Sequence, residues 1–308
     1  MKAGISSSVQ VSATPSWAGR FRGLVSQVAP YATVATLGIG LAFALAQVAG
    51  ITPIAYDAQA YWAANPGELY QAGWESHEYA PFLYSPAFAD ALEPFRLLPD
   101  RVFTAIWQLG VFIVLALVLR GWSLVLVAAG LVALVVPIPL ISVVLADIAH
   151  GNVQILLGAV AVLGIRYPAL WSFALLSKVT PGIGLLWFVA RGEWRNLAIA
   201  VAVTGAIALA SFLYIPGDWF AWAVFLRESV SVVFPTWVVP VPLPIRLVTG
   251  AALIVWGART DRPWVLPIAC GWVIPMPYLS MLATMAFALY YVPRLGQRLP
   301  SRTSQASV

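Results

Sequence analysis

Of this chain's 308 residues 61% are hydrophobic and only 9% are charged, a balance that excludes a water-soluble globular protein and points to a polytopic membrane protein. The formal charge of +5 comes from basic residues spread over short loops and both termini, a distribution that orients membrane helices, so no nucleic-acid partner is expected. A single cysteine, Cys270, excludes an internal disulfide, and no Ser/Gly/Pro-rich linker divides the apolar sequence into two blocks.

The chain opens with Lys2, Arg20 and Arg22 among Ser and Ala. No apolar stretch there ends in a small-residue cleavage site, so residues 1–30 read as a disordered cytoplasmic tail. A bilayer core of about 30 Å needs about 20 helical residues. Runs of that kind are predicted at 31–51, 102–119, 122–145, 196–215 and 237–257.

Two later stretches, 169–190 and 264–292, are interrupted at Val179-Thr180-Pro181 and Pro275-Met276-Pro277. Read as single spans, they put Arg191, Arg195, Arg259 and Arg262 outside, against the tendency of Lys and Arg to collect in cytoplasmic loops. Read as pairs of short helices, they bring all of these arginines inside. The second reading predicts one all-α membrane bundle over 31–293 with about ten membrane helices and a cytoplasmic tail over 294–308. Residues 53–101, 146–151 and 216–236 then lie on the outer side. Each hairpin apex falls near mid-membrane, where irregular backbone must be packed in protein or line a wet cavity.

The outer loop 53–101 holds Asp57, Glu68, Glu75, Glu78, Asp90, Glu93 and Asp100 with Tyr56, Tyr61, Trp62, Tyr70, Trp74, Tyr79, Phe82 and Tyr84. Its aromatics serve either as an interfacial belt or as a wall that stacks sugars and guides lipid. Asp57 stands just beyond the first span, where an enzyme acting on lipid-borne substrates would keep a base. Lys178 lies inside an apolar segment, where an ammonium costs on the order of 2.5–3.5 kcal/mol without a partner or a wet cavity. It binds a phosphate, snorkels to a surface, or pairs with Asp147. Asn152 either caps a helix or opens a helix N-terminus that receives an anion. His150 is a loop histidine, a phosphate ligand, or a partner to a second base. No carboxylate cluster suits a hard cation, and neither metal nor cofactor is expected.

Four strings follow one another along the chain: Tyr56-Asp57, Tyr79-Ala80-Pro81-Phe82-Leu83-Tyr84-Ser85-Pro86, His150-Gly151-Asn152-Val153-Gln154 and Ser177-Lys178-Val179-Thr180-Pro181. In this order they resemble the GT-C mannosyltransferases that use a polyprenyl-phosphate-mannose donor, glycosyltransferase family 87. The resemblance runs from about 31 to 195. It implies a multi-pass enzyme of the plasma membrane, with its active site on the extracytoplasmic side and a glycolipid or glycan acceptor among the membrane lipids. It implies that Asp57 is the catalytic base. Tyr84 falls in the Tyr-x-Tyr-Pro-Pro-like string, with Ser85 where a proline is common. Gly151, Asn152 and Gln154 match the Gly-Asn-x-Gln string, and Lys178 and Pro181 the Lys-x-x-Pro string. Tyr56, Tyr61, Tyr84, His150, Asn152, Gln154 and Lys178 make up the expected substrate site.

Sugar transfer from a glycosyl phosphate needs no second carboxylate of the kind glycoside hydrolysis uses, because phosphate is already a good leaving group. One base on the acceptor hydroxyl suffices, and direct displacement inverts the anomeric centre. A lipid-linked sugar transporter or flippase is the competing class. It would share a wet cavity and an intramembrane lysine but would show internal repeats, and none is evident.

Overall fold

The computed structural model describes residues 17–53, 55–70, 82–133, 135–136, 139–229, 241–275 and 279–294. Among them every regular element is helical. α1 (Trp17–Val48) starts inside the segment expected to be a tail. A short α2 (Tyr56–Ala63) and α3 (Pro86–Leu92) follow, and then α4 (Asp100–Leu119) packs along α1. α5 is Gly121–Ala133 and α6 is Pro139–His150. The single span expected over 122–145 is therefore interrupted: the sequence carries Pro137 and Pro139 there, and a proline offers no N–H to continue a helix.

α7 (Gln154–Leu163) turns away from α6 by 110° at the break around Gly151. α8 is Trp171–Ser177, a 3₁₀ turn covers Thr180–Leu185, and α9 is Leu186–Arg191. α10 (Trp194–Tyr214) and α11 (Pro216–Ser229) precede α12 (Leu243–Arg259), α13 (Val265–Trp272) and α14 (Met281–Met285).

α1, α4 and α10 are long and apolar enough to cross a membrane, at Gln27–Val48, Asp100–Leu119 and Trp194–Tyr214, and the bent α6–α7 pair makes a fourth candidate. Only 22% of the most apolar window in α1 and 11% of that in α10 is buried. An apolar helix with so little protein around it has lipid as its solvent. The chain is thus a helical membrane protein. About ten spans are not seen among the described residues, because proline and glycine breaks cut the remaining apolar sequence into helices too short to cross unaided.

Both expected hairpins double back. A Cβ added to Gly182 would lie 2.3 Å from Leu175, and one added to Gly184 would lie 2.0 Å from Trp171. In one continuous helix residues 171 and 184 would be about 20 Å apart at 1.5 Å per residue, so the chain reverses around Lys178. A Cβ added to Gly271 would lie 2.7 Å from the Met285 side chain and 2.8 Å from the Met281 carbonyl, so the chain also reverses around Pro275. The second turn is held by Arg246, which is 2% exposed. Its guanidinium donates to the carbonyls of Val241, Trp272, Ile274 and Pro275. Two of the four arginines expected to share one side lie at adjoining helix ends: Arg191 bonds the Ala258 carbonyl, Glu193 and Asp261, and Arg259 bonds the Ala190 carbonyl.

One core cluster gathers Tyr61, Tyr84, Phe88, Trp171 and Trp187, and another gathers Phe112, Leu115, Ile155 and Phe287. Cys270 is buried, as its apolar surroundings predict.

Candidate active site

Gly151 places the site. Its φ of +72° lies in the left-handed region, where a residue without a Cβ is favoured. A Cβ there would sit 2.6 Å from the Ala58 Cβ and 3.3 Å from that of Ala55. The bare glycine and the two alanines let α2 lie directly on the α6–α7 break. Trp107 Nε1 donates to the Gly151 carbonyl at 2.7 Å, and Gln108 Nε2 donates to the carbonyls of Ile148 and Ala149. These bonds occupy the Ala149 and Gly151 carbonyls at the end of α6 and add to the Gly151 N–H already on Ile148.

This contact sets Asp57, in the first turn of α2, beside Asn152. The Asn152 side chain lies close enough to the Asp57 carboxylate to favour its ionised form. Its Oδ1 accepts Lys178 Nζ at 3.2 Å and the Val153 N–H at 2.7 Å. One amide oxygen therefore holds the ammonium at the first hairpin turn, beside the acid of α2. Burial pushes the Asp57 carboxyl above its ordinary range, opposed by the charges of Lys178 and His150 and by the Asn152 side chain.

The Tyr84 ring lies 5.8 Å from Lys178 Nζ, a cation–π contact. Ser85 Oγ and Ser85 N both bond the Leu176 carbonyl, at 2.5 and 3.3 Å. Ser85 thereby ties the Tyr84 string to the end of α8 with a donor pair that a proline lacks.

Of the expected site residues, Asp57, Asn152, Lys178, Tyr84 and His150 come together. His150 is exposed, and its Nδ1 lies 2.7 Å from the Ala146 carbonyl. A carbonyl only accepts, so the proton sits on Nδ1 and a neutral ring leaves Nε2 as the acceptor. Tyr61 is fully buried. It shares a 2.8 Å hydroxyl bond with Tyr84 and packs edge-on against Tyr84, Phe88 and Trp107. Burial holds both phenols well above their usual range, so they act as neutral hydrogen-bonding groups. Tyr56 is exposed beside Asp57. Gln154 turns away from the site, its Oε1 and backbone carbonyl accepting from Thr284 of α14. Glu75, His77, Glu78 and Tyr79 lie outside the described residues.

Three of the N–H groups at the Asn152 helix start are already paired. Asn152 N–H goes to the Asp147 carbonyl, Val153 N–H to the Asn152 side chain and Ile155 N–H to Asp147 Oδ2. Those three donors are spent within the protein, and the Lys178 ammonium bonds the same Asn152 side chain. Asp147, 2% exposed, joins the site from behind the break, where sequence reasoning had placed it only as a potential partner of Lys178 or His150.

Glycosyltransferase family 87 matches residues 82–307. The chain belongs to this family. It is a membrane glycosyltransferase with a sugar donor and an acceptor as substrates. No curated protein and no solved structure matches it. The family match takes in Tyr84, His150, Asn152, Gln154 and Lys178. It also runs far past residue 195, where the sequence resemblance had been expected to stop. Tyr56, Asp57 and Tyr61 precede the matched residues, so the structure, through the Gly151 contact, is what connects Asp57 to the family's segment.

Proposed function

We propose that this family 87 enzyme moves a sugar, mannose by the resemblance of its motifs, from a polyprenyl-phosphate donor to a glycolipid or glycan acceptor. The reaction takes place on the extracytoplasmic side of the plasma membrane, within a GT-C-like bundle, and inverts the anomeric carbon. The observation that supports the proposal most is the Asn152 oxygen that accepts the Lys178 ammonium beside Asp57, which brings one carboxylate and one ammonium into a single site.

In this reading Asp57 accepts the proton of the acceptor hydroxyl as the oxygen attacks the anomeric carbon. The bond from that carbon to the phosphate oxygen breaks, and its electron pair stays with the phosphate. Lys178 meets the phosphate charge as it grows, the kind of fixed electrostatic support that lowers such barriers. The Tyr84 ring and the Asn152 carbonyl hold the ammonium in place, and burial raises the basicity of Asp57, which suits it to take a proton.

The test is incubation of the purified protein in detergent with labelled polyprenyl-phosphate mannose and a membrane-lipid extract. Transfer of label to a lipid or glycan with an inverted linkage supports the proposal. A protein that binds the donor but transfers nothing in detergent, where a flippase has no vectorial work to do, contradicts it.

A further inference from the structure

The peptide that joins Tyr84 to Ser85 is pinned on both edges. Its N–H donates to the Leu176 carbonyl at 3.3 Å, and its carbonyl accepts the Tyr70 hydroxyl at 2.5 Å. Leu176 stands two residues before Lys178, so the first anchor ties the Tyr84 ring to the hairpin turn that carries the ammonium. Tyr70 supplies the second from a different part of the chain. Its own ring stacks on Phe225 of α11, with centroids 5.3 Å apart and 27° between the planes, and tilts against Phe82 at 6.1 Å. α11 meets the same segment again where the buried Asp218 accepts the Gly67 N–H on Oδ2 at 2.7 Å. Asp218 and Phe225 are about two helical turns apart and share one face of α11, while Phe220 and Val224 are exposed. A helix on the outer side is thereby joined, through one tyrosine, to the ring that meets Lys178.

We propose that Tyr70 is a positioning residue for the donor site, holding the Tyr84 ring against the Lys178 ammonium and linking that ring to the seating of α11. The inference rests on the assignment of Lys178 to the donor phosphate. A cation–π contact reaches to about 6 Å from the ring centroid, and Lys178 Nζ lies at 5.8 Å. A displacement of Tyr84 by a few tenths of an ångström therefore releases the ammonium. The Tyr61 hydroxyl bond fixes the far end of the Tyr84 ring, and the Tyr70 bond fixes the backbone from which the ring springs. With the Tyr70 hydroxyl gone, the ring swings about its own hydroxyl end. A lysine no longer held in one rotamer must be ordered each time a phosphate arrives, and that ordering is taken from donor affinity.

Tyr70→Phe keeps the stack on Phe225 and removes only the hydroxyl. Titration of labelled polyprenyl-phosphate mannose against the purified enzyme should show donor affinity weakened about three- to tenfold, the scale of one neutral hydrogen bond, with acceptor KM at its wild-type value. A hydroxyl that merely holds the fold would lower the melting temperature and leave donor affinity unchanged, and that result overturns the proposal. Combination with Lys178→Ala adds a reading that a loss of stability does not mimic, because residues acting through one another are not additive. Once the ammonium is gone, Tyr70→Phe should weaken donor binding no further; an equal further loss overturns the proposal. Phe225→Leu withdraws the stacked ring while leaving every polar group in place, and it supplies the same titration if Tyr70→Phe does not fold. It should weaken donor affinity in the same direction, and wild-type affinity there overturns the link to α11. Lys178→Ala alone separates the two layers of argument. Normal donor affinity in that variant sinks the phosphate assignment and this inference together, whereas weakened affinity there, with wild-type affinity in Tyr70→Phe, sinks this inference alone.

Discussion

Gly151→Ala tests the contact on which the whole site depends. The new Cβ would lie 2.6 Å from the Ala58 Cβ and 3.1 Å from the Ala58 backbone nitrogen. Carbon atoms pack best at about 3.5–4.0 Å, so α2 must retreat by about 1 Å. Two costs add. An alanine held at φ +72° loses roughly 1–2 kcal/mol to left-handed strain, and overpacking adds typically ~1–3 kcal/mol. The variant should be destabilised by about 2–5 kcal/mol, read as a drop in melting temperature in detergent. If it still folds, the shift moves Asp57 away from Asn152, and a 1 Å misplacement is worth about 10²-fold in rate. Adding Ala58→Gly removes the closest clash and should restore part of the activity while the φ strain persists. A Gly151→Ala enzyme with wild-type turnover and melting temperature would refute the claim that α2 is seated on the break.

The remaining predictions address the base, the second hairpin and the orientation. Asp57→Asn should cost about 10²–10⁴-fold in turnover. In the wild type the acid limb of kcat/KM should lie above the ordinary carboxylate value of about 3.9, because burial raises Asp57 and the base works only when deprotonated; a limb at or below that value would remove Asp57 from this role. Arg246→Met leaves the carbonyls of Val241, Trp272, Ile274 and Pro275 without their donor. With charged hydrogen bonds worth roughly 1.5–3 kcal/mol each, melting should fall clearly, and an unchanged melting temperature would show that the turn holds itself. In a Cys270→Ser background, a cysteine at Asn196 should label only from the cytoplasmic side and one at Asn65 only from outside; external labelling at 196 contradicts the hairpin topology.

Membrane class, the breaks at Lys178 and Pro275, and the polar residues out of place in apolar sequence were all legible from residue order, because each is a local departure from hydropathy. What joins them was not. Asp57 and Asn152 are far apart in sequence, and only the absence of a side chain at Gly151 lets their elements touch. Gln154 shares a motif with Asn152 yet begins a new helix, and the 110° bend at the break sends its side chain to Thr284 instead. Of the helix-start N–H groups that read as open to an anion, sequence does not say that Asp147 reaches across the break to take that of Ile155. Arg246 sits inside an apolar run that reads as an ordinary span, and its significance appears only once four carbonyls converge on it. Pro137 and Pro139 were a visible warning against the span 122–145 that hydropathy alone outweighed.

The central claim is that one site divides its work between Asp57 and Lys178. It is tested most directly by titrating labelled donor against the Asp57→Asn and Lys178→Ala enzymes side by side, with binding and transfer measured on the same preparations. The account predicts near-normal donor binding without transfer for Asp57→Asn, and donor binding weakened well beyond any change in acceptor KM for Lys178→Ala. Unchanged donor affinity in Lys178→Ala, with its loss confined to thermal stability, would contradict the account and make the lysine a structural charge.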